Sequence, residues 1–103
     1  MGLQLSIPSK PIAQFCQRWQ ITELAVFGSA VRSDFRADSD LDIMVTFHPA
    51  VRHSLFDLVH MQEELKQIVG REVDLVSRRG IEASRNHFRK DDILSSALVV
   101  YAA

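Results

Sequence analysis

A chain of 103 residues, 47% hydrophobic and 24% charged with a net charge of −1, has the make-up of one folded domain, residues 1–103, around a single modest core. That balance gives no field for generic nucleic-acid binding or for an anionic membrane, and no run approaches the roughly 18 apolar residues of a membrane span. The opening MGLQLSIPSKP lacks the basic start and unbroken apolar stretch of a secretory signal, so a cytoplasmic protein is expected.

Ser9, Lys10 and Pro11 suit a helix start, and Ile12, Phe15, Cys16 and Trp19 recur at three-to-four spacing, which predicts an amphipathic first helix with its aromatics in the core. Cys16 has no cysteine to pair with and no Cys/His cluster nearby, so it is expected to be a small buried apolar residue. A strand follows at about residues 23–27 and stops at Gly28-Ser29. Ala30-Val31-Arg32 then suits the start of a short helix. Strand, glycine turn and helix start together make an anion cradle: glycine admits a phosphate close to the backbone, the serine donates, and the helix N-terminus favours negative charge. Arg32 and Arg36 add cationic forks.

The next strand, at about residues 40–47, carries Asp40-Leu41-Asp42-Ile43 and ends at His48-Pro49. Side chains two apart in a strand share a face, so Asp40 and Asp42 stand together while Leu41, Ile43 and Val45 face the other way. Aspartate is disfavoured in strands, and two of them side by side repel. Divalent cations that seek oxygen ligands remove the repulsion, which makes the pair a magnesium site for phosphoryl chemistry. A Gly-Ser turn or an Asp-x-Asp alone is more often structural; both together reverse that balance.

Ser54 with Asp57 three residues on is a capping pair. Leu55, Leu58, Val59, Leu65, Ile68 and Val69 form the apolar face of a helix that Gly70 closes. His53 and His60, near Asp57 and Glu64, are taken as solvated side chains. Residues 72–77 make a third strand, in which Asp74 sits between Val73 and Leu75-Val76 and calls for a metal, a base role or a salt bridge. A basic segment follows with Arg78, Arg79, Arg85, Arg89 and Lys90, expected to be mostly solvated and with roles the sequence leaves open. Asp91 or Asp92 caps a short helix through Ala97, and Leu98-Val99-Val100-Tyr101 suits an edge strand.

Gly28-Ser29, ten residues, Asp40-Leu41-Asp42-Ile43, and Asp74 on a later strand resemble the signature of the DNA polymerase beta-like nucleotidyltransferases, in the minimal (MNT) branch to which the small size points. One departure is visible: many relatives have glycine after the first motif's arginine, where this chain has Ser33 after Arg32. The alternation of helices and strands and the resemblance imply the same fold class. It is α/β (α+β), a small mixed β-sheet with helices largely on one face and the site on the open side.

The resemblance further implies ATP with its phosphates at Gly28, Ser29, Arg32 and Ser39, and two Mg2+ ions at Asp40, Asp42 and Asp74, the catalytic carboxylates. With about 60 residues after Asp42 the chain is expected to lack the acceptor domain of larger relatives, so that a partner completes the cleft in a homo- or hetero-oligomer. The branch resembles antitoxins that pair with helical HEPN-type toxins, some transferring AMP to a toxin tyrosine. Two alternatives stand beside this: a non-catalytic antitoxin that neutralises by covering its partner, and a transferase for a small hydroxylated molecule.

Overall fold

Apolar side chains on both faces of a strand require cover on both sides, and the central strands of this chain are built that way. The computed structural model of the chain describes residues 7–28, 40–83, 85 and 87–103. Among them the order is α1 (Ser9–Trp19), β1 (Ile21–Phe27), β2 (Leu41–Phe47), α2 (Leu55–Val69), β3 (Val73–Ser77), α3 (Arg78–Glu82), α4 (His87–Ser96) and β4 (Leu98–Ala102). The sheet runs β3-β2-β1-β4, with β2 and β3 parallel and the other two pairs antiparallel. The helix start expected at Ala30-Val31-Arg32 lies outside the described residues.

The larger core sits on the face covered by the two longest helices. Ile12, Phe15 and Cys16 from α1 and Met61 and Leu65 from α2 meet Leu24, Val26, Leu41, Ile43 and Val45 of the sheet. Burial pushes the Cys16 thiol up to about 12, which keeps it neutral and apolar in character. On the opposite face a smaller cluster joins Ala25, Phe27 and Met44 to Ile81 of α3 and Ile93 of α4.

Local chemistry sets the element ends. The Ser54 hydroxyl accepts the Asp57 N–H at 3.2 Å, the Asp57 carboxylate accepts the Ser54 N–H at 3.0 Å, and Gly70 closes α2 at φ 74°. That backbone hydrogen bond from Ser54, with lesser help from the Ser54 hydroxyl and His53, holds the Asp57 carboxyl below its ordinary value. Glu64 of α2 clasps α1 by pairing with Arg18 and accepting the Trp19 indole N–H at 2.9 Å.

Several expectations need correction. β1 begins at Ile21, because Ile21 pairs with Phe47 and is buried. Leu55 and Val59 point to solvent, 79% and 59% exposed, and Met61 takes the place in the core. The inward stripe of α2 runs through Leu58, Met61, Leu65 and Ile68, and Leu55 and Val59 lie to one side of it. His53 is not solvated: its ring stands edge-on to Trp19 at 5.7 Å and tilted to Phe47 at 4.6 Å, with Nε2 2.9 Å from the Trp19 carbonyl oxygen. The basic segment opens with a helix, α3, capped by the Ser77 hydroxyl, which accepts the Gly80 N–H at 3.0 Å. α4 starts at His87, so Asp91 and Asp92 lie within it rather than capping it, whereas the expected edge strand is present as Leu98–Ala102, paired with β1.

Candidate active site

Parallel pairing of β2 with β3 sets Asp42 directly opposite Asp74. In the same sheet Phe27, the last residue of β1, is opposite Asp42. Alternation sends Leu41, Ile43 and Val45 into the large core, so Asp42 and Asp74 share the other face, at the amino ends of their strands. Asp74 is exposed and Asp42 half-buried. Asp40 is exposed and lies one residue before β2, which starts at Leu41 where the Leu41 N–H meets the Glu72 carbonyl at 2.9 Å.

Gly28 completes the arrangement at φ 72°. A Cβ there would come within 3.2 Å of the Asp42 Cγ and nearer still to a carboxylate oxygen. Gly28, expected from the sequence to admit a phosphate, also makes by its missing side chain the space that the Asp42 carboxylate fills. That second task had no sequence signal, since it depends on β1 and β2 pairing antiparallel with Phe27 against Asp42. Ser29, Arg32, Arg36 and Ser39 lie outside the described residues.

The donor set suits magnesium. Asp42 and Asp74 offer hard carboxylate oxygens on one face, and among the described residues no three His, Cys, Asp or Glu side chains gather into a cage of their own. A cation bound there would complete its shell with water and substrate phosphate, the arrangement magnesium prefers. Among the described residues no helix is long and apolar enough to cross a membrane.

Comparison with known proteins agrees with this geometry. The protein adenylyltransferase MntA of Thermococcus cleftensis is 36% identical over 67 residues, 65% of this chain and 66% of MntA. A solved structure assigned as a minimal nucleotidyltransferase is 30% identical, covers 87% of this chain and 86% of its own, and superposes with a TM-score of 0.67. A tri-AMPylated HEPN toxin of Shewanella oneidensis in complex with its MNT antitoxin shares the fold, with a TM-score of 0.63 at 15% identity over 92% of this chain and 70% of that one. The family described as nucleotidyltransferase domain matches residues 9–100, from the first residue of α1 into β4. With Gly28, Asp42 and Asp74 brought to one face inside that match, the chain belongs to the nucleotidyltransferase domain family, in its minimal, polymerase beta-like form.

Proposed function

We propose that this chain is a protein adenylyltransferase of the antitoxin kind, moving AMP from ATP onto a hydroxyl of a HEPN-type toxin partner in the cytoplasm. The observation that carries the reading is the register of β2 and β3, which sets Asp42 and Asp74 side by side next to the Gly28 turn. The AMPylated toxin seen with an MNT antitoxin of the same fold supports the acceptor class.

In this reading Asp40 and Asp42 would hold magnesium, with Asp74 beside them. Gly28 lets the phosphates approach the backbone, and Ser29, Arg32 and Ser39 bind them. Magnesium, when bound, neutralises phosphate charge and acidifies the acceptor hydroxyl. Asp74, exposed on its own strand, faces the acceptor and takes the hydroxyl proton. The acceptor oxygen then bonds to the α-phosphorus as the bond to pyrophosphate breaks, and pyrophosphate leaves with its charge balanced at the site. Positioning and charge neutralisation carry such a displacement.

The test is to incubate the chain with magnesium, ATP and the protein encoded beside it, then weigh the intact partner. An added mass of about 329 Da per transferred AMP is expected, a value fixed by the covalent chemistry. It should be absent with Asp42→Asn and with Asp74→Asn, while Asp74→Asn retains the larger share of ATP binding. An unmodified partner that is nevertheless neutralised by Asp42→Asn would refute the transferase reading.

A further inference from the structure

The parallel pair β2 and β3 has two ends, and the carboxylates occupy only the amino one. At the carboxyl end, four residues along β2 from Asp42 and so roughly 13 Å away, lies a cavity of ≈ 370 Å³. That volume is within the range of small-molecule sites. In open α/β sheets, ligands favour the crevice beyond the carboxyl ends of parallel strands.

The lining is divided by chemistry. Phe47, Pro49, Val51 and Leu58 give one apolar wall, and Arg52, Arg78 and Arg79 with the single carboxylate of Glu82 give a rim that is cationic on balance. Arg78 is occupied, its guanidinium 3.4 Å from both Glu23 and Glu82. Arg52 and Arg79 are both exposed, and their guanidiniums make no hydrogen bond or ion pair among the described residues. They come from separate elements, the loop before α2 and the start of α3, yet border one cavity. Two uncommitted guanidiniums beside an apolar wall match a ligand with a flat body and one anionic end.

We propose that this cavity is a second binding site, separate from the carboxylates and independent of metal, for a nucleoside monophosphate. The phosphate lies between Arg52 and Arg79, and the base lies against Phe47 and Leu58. Neither arginine supports the core, so the site can be removed without unfolding the chain.

The experiment uses the full chain carrying Asp42→Asn and Asp74→Asn, which silences the carboxylate site, in EDTA. AMP, adenosine and inorganic phosphate are titrated in turn while backbone amide resonances are followed. AMP should saturate at one equivalent and shift Thr46, His53 and Ser77. It should bind about tenfold more tightly than either adenosine or phosphate, since each of those meets only one wall. Adding Arg52→Gln and Arg79→Gln should weaken AMP at least tenfold with an unchanged melting temperature, and Arg79→Glu alone should do so as well. In the otherwise wild-type chain the same arginine changes should leave magnesium-ATP binding intact, which separates this site from the proposed transferase site. AMP binding that persists in the arginine variants, AMP no tighter than phosphate, or shifts confined to the Gly28 end would each overturn the proposal.

Discussion

Replacing Gly28 with alanine tests the closest fit in the site. Two costs add. At φ 72° an alanine pays about 1–2 kcal/mol for a left-handed backbone. Its Cβ, 3.2 Å from the Asp42 Cγ and closer to the carboxylate oxygen, also forces the Asp42 side chain to rotate away, about 1 kcal/mol more at the scale of touching residues. A total of about 2–3 kcal/mol lowers the melting temperature by roughly 10–20 °C in a domain of this size. The two costs separate in a double-mutant cycle with Asp42→Ala, followed by urea unfolding at constant pH. If the carboxylate is seated over Gly28, removing it relieves the second cost and leaves the first, so the double variant is about 1 kcal/mol more stable than the two single changes sum to. Additivity within about 0.3–0.5 kcal/mol would show that Gly28 and Asp42 are not in contact and would refute the geometry described here.

Asp74→Asn removes one of two like charges that face each other across β2 and β3. It should raise the metal-free stability by about 0.2–1 kcal/mol while abolishing transfer, which calorimetry and the mass assay read separately. Ser54→Ala should cost about 1 kcal/mol of stability by removing the hydroxyl that caps α2. Asp57 adds a pH dependence: its carboxyl is held below the ordinary value of 3.8, so its contribution is complete above that value and is lost as pH falls through the lower folded-state pKa. The stability gap between wild type and Asp57→Asn, measured by urea unfolding, should therefore close only in acid.

Where sequence predicted structure well, the signal was local. Ser54, Asp57 and Gly70 bound α2 at both ends because caps are made by the residues themselves. The alternation of Leu41, Ile43 and Val45 with Asp42 told which face of β2 meets the larger core and which carries the carboxylate. Periodicity failed for Leu55 and Val59, since a wide apolar arc does not say which part of it faces the sheet, and the part that does runs through Leu58, Met61, Leu65 and Ile68. His53 looked solvated because its partners Trp19 and Phe47 are distant in sequence. The Ser77 cap was present as a serine three residues before Gly80, but a segment marked chiefly by its arginines carries no apolar periodicity to announce a five-residue helix. Gly28, Asp42 and Asp74 stood out in the sequence by type and order, and the structure brings these three together. The directness of the Asp42–Asp74 opposition was not legible, because register is set by the crossover through α2.

β3 hydrogen-bonds to a neighbouring strand on one side only, being last in the sheet order, and it carries Asp74. An edge strand opens by local unfolding more readily than an inner one, so half of the carboxylate pair inherits the lower protection against hydrogen exchange of its strand. One side chain offsets this. Gln62 of α2 accepts the outward Leu75 N–H at 3.3 Å, filling with an amide oxygen the place that a further strand would take. The same bond blunts the edge as a template for another chain, so α2 keeps the site assembled and limits edge-to-edge association.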